Sequence, residues 1–421
     1  MQEITAVDDI TGLLQRTKEA ANTINRLPDA ERRQLTGLIA DAIMAHTSAI
    51  LAANATDLAR MEPANPMYDR LLLTESRLAQ VAAATRQVAQ LPDPTNVILS
   101  SQMHPKGMLI EKHTVPLGVV GAIYEARPNV TIDIAALCLR SGNAAVLKGG
   151  TDAADTNACL VKIMHQVLQA QGLPAQVIAL LPNQRQTTTQ LLHATRLVDV
   201  IVPRGSQGLI DYVRKNATVP VIETGAGVCH TYVHHSANLP MAASIVVNAK
   251  TQRPSVCNAL DTILVDESVA VEFLPLLVTP FLPFEVGVYA CSQSLPILQH
   301  AQYPYLYPAT AEHYGREYLS QNCSIKVVAN LQEALAHIAA HSSRHSEAIV
   351  CQEEAAAEIF LATVDAAAVY HNASTRFTDG GEFGLGAELG ISTQKLHARG
   401  PFALEKLVCE KWIVRGNGQV R

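Results

Sequence analysis

From residue 118 the chain reads GVVGAI (118–123), NAAVLK (143–148), QVIALL (176–181), VDVIV (198–202) and TVPVIE (218–223), a series of short, mostly continuous apolar runs. A strand buried on both faces has this pattern, because neither face is left for polar residues. Between the later four runs lie segments with helical spacing: 153–171, with Leu160, Ile163, Met164, Val167 and Leu168 on one face, then 186–195 and 206–216. Strands alternating with helices of this length build right-handed crossover units around a parallel sheet. The fold class expected is α/β, doubly wound. Ligands bind such sheets at the loops leaving the carboxyl ends of the strands, which here read YEARPN, KGGTD, LPNQ, PRGSQG and ETGAG. Their glycines and hydroxyl groups suit backbone approach to phosphate, although no G-x-G-x-x-G fingerprint opens a helix after the first strand.

Upstream, residues 1–92 carry helical periodicity, with Leu13, Leu14, Ala20 and Ile24, then Leu35, Leu38, Ile39 and Ile43, spaced three and four apart. Three or four amphipathic helices are expected there, punctuated by Pro28, the NPMY turn at 65–68 and LPDPTN at 91–96. VILSSQMHPKGMLIEKH (97–113) switches to short apolar runs on either side of Pro105, Lys106 and Gly107, the pattern of a hairpin. Downstream, HTYVHHSANL reads as an extended connection, after which the αβ rhythm restarts. Strands are expected at 262–266, 285–290, 324–329, 346–351 and 365–370, with helices near 269–279, 331–341 and 353–361. The glycine-dense segment DGGEFGLGAELG (379–390) has too little side chain for a core and suits close approach to a ligand.

At 421 residues and 48% apolar content the chain can bury at least two cores. The net charge of −6 is spread along the chain without a basic block, which argues against nucleic acid and for small-molecule partners. Eight cysteines show no C-x-x-C pair, so free thiols in a reducing compartment are expected and a structural metal is not. The acidic N-terminus has no basic stretch ahead of an apolar core, and no uncharged apolar run reaches about 18 residues. A cytoplasmic, non-membrane protein is expected.

One thiol stands out. TQRPSVCNALDTI (251–263) sets Cys257 between Pro254 and an apolar run, with Ser255 and Asn258 beside it and a helix expected to begin near Asn258. Dipoles of that kind stabilise a thiolate, the form that acts as a nucleophile. His230, His234 and His235 have no metal-ligand spacing and are assigned to structure.

Taken together, LGVVGAIYEARPNVTID, AVLKGG, VPRGSQGLI, PVIETGAGVCHTYV, QRPSVCNALDT, FTDGGEFGLGAELGISTQKLHARGP and KWIVRGNGQVR resemble the γ-glutamyl phosphate reductase family of the aldehyde dehydrogenase superfamily, from about residue 10 to the C-terminus. The resemblance implies an NADPH-binding domain (1–98 and 114–237), a catalytic domain (238–400) and an oligomerisation element (99–113 and 401–421). It implies reduction of L-glutamyl 5-phosphate by NADPH to glutamate 5-semialdehyde and phosphate, in proline biosynthesis, through a thioester on Cys257. It names Asn129 and the Cys257 backbone N–H as oxyanion donors, and Glu223 as a residue that positions the nicotinamide or tunes the thiol. For the cofactor it implies Lys148, Gly149, Gly150 and Thr151, then Pro203, Gly205 and Ser206, then Glu223, Thr224 and Gly225, with Glu317 at the ribose or, alternatively, an exposed helix end. Thr151, where NAD-preferring relatives carry glutamate, is consistent with NADPH. For the substrate the candidates are Arg127, Arg253, Asn372, Ser374, Thr375, Arg376, Gly380 and Gly381. A homo-oligomer and an association with glutamate 5-kinase also follow. The alternatives are another acylating aldehyde dehydrogenase, acting on a coenzyme A thioester or a semialdehyde, and a non-catalytic partner of the kinase.

Overall fold

The computed structural model describes residues 10–63, 65, 67–125 and 127–421. The acidic N-terminus and Pro66 of the expected NPMY turn lie outside them. The chain divides into two units, the first made of the chain up to Thr224 with Gly384–Gly390 and Pro401–Arg421, the second of Gly225–Phe383 and Ile391–Gly400.

The first unit opens with the helices Thr11–Arg26, Asp29–Ala45, Thr47–Leu58 and Glu75–Gln90, joined by one short turn of helix at Tyr68–Leu71. Their apolar spacing does what it predicts: Leu14, Ile24, Leu35, Ile39 and Ile43 are buried. Next come β1 (Ile98–Met103) and β2 (Leu109–Pro116), an antiparallel hairpin to which the C-terminal strand Val408–Arg415 adds a third member. The parallel sheet is built from β3 (Val119–Tyr124), β4 (Ala144–Lys148), β5 (Ile178–Leu180) and β6 (Val200–Arg204), in the order β5-β4-β3-β6. The chain steps outward from β3 to β5 and then returns to the other side of β3. The order therefore reverses between β3 and β6, and a ligand crevice belongs there. Two details differ from the sequence reading. A helix, Pro128–Arg140, fills the connection between β3 and β4, and the run at 218–223 contributes a single bridge, Val221 to Ile201, instead of a strand.

The second unit holds seven parallel strands in the order β10-β9-β11-β8-β7-β12-β13. These are β7 (Cys229–Val233), β8 (Leu260–Asp266), β9 (Gly287–Ala290), β10 (Leu306–Pro308), β11 (Asn322–Val328), β12 (Ser346–Val350) and β13 (Ala368–His371). HTYVHHSANL (230–239) is expected as an extended connection, with the first domain closing at 237. Residues 229–233 instead form β7, which hydrogen-bonds β8 on one side and β12 on the other. All five of its residues are buried, so the strand belongs to this core. The helix expected near 269–279 is a run of short α and 3₁₀ turns from Glu267 to Phe284. Pro275, Pro280 and Pro283 interrupt it, since proline removes a donor from the helix ladder. By length and composition this stretch could cross a membrane, yet Phe273, Leu274, Leu277 and Phe281 fill the core cluster that also takes in β8, β9 and β11.

Candidate functional site

In the second unit the nucleophile candidate sits in a turn between the helix Leu239–Thr251 and β8. No helix begins at Asn258; the chain runs straight from the turn into the strand, so the expected helix start beside the sulfur is not there. What holds Cys257 is its own backbone. A Cβ on Gly227 would lie 1.4 Å from the Cys257 carbonyl oxygen and 2.3 Å from its carbon, so only glycine permits the approach. The Cys229 thiol, whose ionisation burial opposes, donates to the same oxygen at 3.3 Å. The Gly227 N–H donates to Glu317 Oε1 at 2.8 Å. Glu317 thus anchors Gly227 against the Cys257 backbone from an irregular stretch of chain, not from a helix end.

The loop after β13 closes over the neighbouring residue. Asn258 Nδ2 donates to the carbonyls of Arg376 (3.2 Å) and Thr378 (2.9 Å), and Thr375 Oγ1 donates to the Asn258 carbonyl at 2.8 Å. That clasp brings Arg376 beside Cys257, and the two attract electrostatically; burial, the larger influence, lowers the Arg376 pKa. Arg376 Nε also donates to Gln252 Oε1 at 3.1 Å, and Arg253 adds a second positive charge to its surroundings. Other substrate candidates are used by the fold itself. Asn372, at φ 56°, spends its amide on the N–H and carbonyl of Cys351. Ser374 Oγ accepts from Arg376 N, and the Gly381 N–H donates to Asp379 Oδ1 at 2.8 Å, while Gly380 is buried.

In the first unit the cofactor candidates gather at the carboxyl ends of β3, β4 and β6. Lys148 ends β4, 7% exposed, with its ammonium on the carbonyls of Gly149 (3.1 Å) and Asn183 (3.3 Å); burial lowers its pKa. Gly149 and Gly150 lead into the 3₁₀ turn Thr151–Ala153. At the end of β6, Ser206 caps the helix Gln207–Asn216 and accepts from Leu209 N. Sequence reasoning missed the group that occupies this helix start. Glu125 accepts from the Ser206 N–H at 2.7 Å and from its hydroxyl at 3.2 Å, and a Cβ on Gly205 would lie 2.5 Å from Glu125 Oε2. The only signal was an acid directly after β3, next to the point where the strand order reverses. Thr224 Oγ1 donates to the Pro203 carbonyl at 2.7 Å, and Glu223 lies 3.9 Å from Arg214 Nε. Asn129 stands on the first turn of Pro128–Arg140, with Arg127 at its N-cap, and donates to Asp133 Oδ2 at 3.1 Å. Gly225 falls in the second unit, where a Cβ would meet Thr393 Oγ1 at 3.0 Å.

Among the described residues, His234, His235 and Glu353 bring three potential metal-ligand atoms within 4.8 Å of one another just beyond β7. None of them takes part in the constellation around Cys257. His230 is buried and gives both its N–H and Nδ1 to Glu347 Oε2, a structural pairing.

A switch-point crevice furnished with a buried lysine and a glycine-serine helix start, on a chain whose other sheet carries a clasped thiol, defines an aldehyde dehydrogenase type of protein. The profile described as the Aldehyde dehydrogenase family matches residues 2–294, and the chain belongs to that family, with the nicotinamide cofactor the family implies. More particularly, it falls among the γ-glutamyl phosphate reductases. It is 50% identical to the γ-glutamyl phosphate reductase of Pelodictyon phaeoclathratiforme over 98% of this chain and 99% of that one. It is 52% identical to that of Chlorobaculum parvum over 97% of each. The crystal structure of γ-glutamyl phosphate reductase from Thermotoga maritima superposes with a TM-score of 0.93 at 38% identity, covering 98% of this chain and 100% of that one. An acetylating aldehyde dehydrogenase from Geobacillus thermoglucosidasius, 17% identical with a TM-score of 0.71 over 98% of this chain and 97% of that one, shares the fold.

Proposed function

We propose that this chain reduces L-glutamyl 5-phosphate to L-glutamate 5-semialdehyde and inorganic phosphate, with NADPH as the reductant, on the route from glutamate to proline. The observation that carries the reading is the half-buried Cys257 fixed by Gly227 and Cys229, with the Arg376 guanidinium beside it. A neighbouring cation favours the thiolate, which attacks the carbonyl carbon of the acyl phosphate. A carbon–sulfur bond forms, the bond between the carbonyl carbon and the phosphate oxygen breaks, and phosphate leaves. Arg376 and Arg253 offer the forked donors that suit a departing phosphate. The Cys257 N–H is assigned to the carbonyl oxygen, where a well-aimed donor stabilises the transition state by about 3–4 kcal/mol. A reduced nicotinamide, when bound, would supply the hydride that takes the thioester to the aldehyde level. Cleavage of the carbon–sulfur bond then returns Cys257 as a thiolate. Glu223 has no water to activate here, since phosphate is the leaving group, and serves to position the nicotinamide.

The residues present fit such a cofactor. The buried Lys148 ammonium rests on neutral carbonyls, so a ribose hydroxyl or its phosphate completes its surroundings. Thr151 in place of a carboxylate leaves room for the 2′-phosphate of NADPH. The Gly205–Ser206 helix start attracts an anion and already holds one, the Glu125 carboxylate. We assign homo-oligomerisation to the three-stranded sheet, whose outer strands expose Ile98, Leu99, Met103, Trp412 and Val414. A cytoplasmic location matches eight free cysteines, and hand-over of a labile acyl phosphate favours contact with glutamate 5-kinase.

The test is the reverse reaction. Oxidation of glutamate 5-semialdehyde with NADP should require inorganic phosphate and should not accept coenzyme A in its place. Cys257→Ser should abolish turnover while nucleotide binding persists; an active serine variant, or phosphate-independent oxidation, overturns the assignment.

A further inference from the structure

Three neighbouring parallel strands of the second sheet, β8, β7 and β12, end side by side, and the residues at their carboxyl ends carry titratable groups. Asp266 is the last residue of β8, His234 and His235 follow β7 directly, and Glu353 stands three residues past β12 as the N-cap of the helix Glu354–Thr363. One ligand atom from each of His234, His235 and Glu353 lies within 4.8 Å of the others. The length of β8, about 20 Å, separates this cluster from Cys257, which lies just ahead of the strand's first residue. The reaction proposed at Cys257 does not use it.

The surrounding hydrogen bonds already shape the cluster. His234 is buried, and Ser236 meets its Nδ1 with both Oγ (2.9 Å) and N–H (3.3 Å), which fixes the ring. The same Oγ accepts from the backbone N–H groups of Gln352 and Glu353 at 3.1 Å each, so the loop after β7 is tied to the loop after β12. On His235, Nδ1 lies 4.0 Å from Asp266 Oδ2 and Nε2 lies 3.6 Å from Glu353 Oε2. The Tyr232 hydroxyl donates to that Asp266 oxygen at 3.1 Å. As a surface ion pair, His235 with Glu353 is worth about 0–1 kcal/mol. Such a pair does not account for a buried imidazole and a second carboxylate gathered on the same spot.

We propose that His234, His235 and Glu353 bind a borderline divalent metal ion, zinc above all, that clamps the loop after β7 to the loop after β12. Two imidazoles and one carboxylate are a set that zinc accepts, at about 2.0–2.2 Å each with water in the fourth position, whereas magnesium and calcium prefer oxygen alone. Tetrahedral ligands at that range stand about 3.3 Å apart, close to the 3.6 Å already between His235 and Glu353. Both of these side chains are half exposed and have room to close on the ion. An imidazole that coordinates through Nε2 carries its proton on Nδ1 and donates it to an acceptor that orients the ring. Ser236 Oγ stands in that place for His234, and Asp266 Oδ2 for His235. Asp266 and Glu353 also draw positive charge to the spot.

Zinc chloride titrated into the untagged full chain tests the site, read by calorimetry and by melting temperature. One ion should bind per chain and raise the melting temperature, since a ligand held by the folded chain stabilises it. Loss of even an outer partner of a metal ligand weakens binding about 10–100-fold. His235→Ala and Glu353→Gln, both at half-exposed positions, should therefore each weaken zinc binding at least tenfold and remove the rise in melting temperature, with metal-free turnover unchanged. Cobalt(II) in place of zinc should give the spectrum of imidazole and carboxylate ligation without a thiolate charge-transfer band. A thiolate band, or zinc binding that survives both variants, puts the ion elsewhere and overturns the site, as does the absence of zinc binding.

Discussion

Replacing Gly227 by alanine puts the catalytic geometry under a load that can be sized. The added methyl would sit 1.4 Å from the Cys257 carbonyl oxygen, 2.3 Å from its carbon and 2.8 Å from its Cα. Relaxed carbon–oxygen contacts lie near 3.4 Å, so the two backbone segments must separate by about 2 Å. All three clashing atoms are backbone, and no side-chain rotation relieves them. The Gly227 N–H is tied to Glu317 and the Asn258 carbonyl to Thr375, so part of the displacement falls on the turn that carries the thiol. A misplacement of about 1 Å at a reacting centre can cost about 100-fold, which is about 2.7 kcal/mol of barrier. Gly227→Ala should therefore lose at least 100-fold in kcat/KM for glutamate 5-semialdehyde, measured by phosphate-dependent NADP reduction. Calorimetric titration of the same preparation should still show nucleotide binding, because Lys148, Gly205 and Ser206 lie outside the displaced segment, with any weakening confined to the nicotinamide end that Glu223 positions. A Gly227→Ala enzyme within threefold of wild type would mean that the clasp does not set the position of Cys257.

Further outcomes follow from single groups. Glu125→Gln should tighten NADP binding about two- to fivefold by calorimetry, since the helix start it occupies attracts anions with about 0.3–1 kcal/mol; weaker binding would show that Glu125 assists the nucleotide. Glu347→Leu should destabilise the protein by about 3–5 kcal/mol in urea, because the buried His230 N–H and Nδ1 and the Ser342 hydroxyl lose their acceptor together. A loss under 1 kcal/mol contradicts that account. Asp133 binds its proton more tightly in the folded chain, with a pKa of about 6 against an ordinary 3.8. The stability it gives is full below about pH 4 and is lost as pH rises through 6. The melting temperature of Asp133→Asn relative to wild type should thus climb between pH 4 and 6 and level off above; a flat difference rejects the shift.

The sequence alone determined the alternation of strands and helices and singled out Cys257 as the candidate nucleophile, because a repeat of apolar runs and a motif around one thiol are local properties. GVVGAI and NAAVLK became β3 and β4 nearly residue for residue. Local pattern misled where a neighbour had the deciding vote. HTYV reads as part of an extended connection, yet β8 and β12 pair with its backbone and Glu347 accepts from His230, so it belongs to a fully buried strand. The surroundings of Cys257 were out of reach for the same reason. Gly227, Glu317 and Arg376 stand far from it in the chain and meet it through the strand order β11-β8-β7-β12-β13, Glu317 from the stretch before β11 and Arg376 from the loop that follows β13. Asn372 looked like a ligand-binding polar residue until the fold gave its amide to Cys351, and Glu125 drew no notice until β6 returned beside β3 and set Ser206 against it. Periodicity records what each segment must bury. Only the pairing of distant strands decides which polar groups are consumed by the fold and which remain for chemistry.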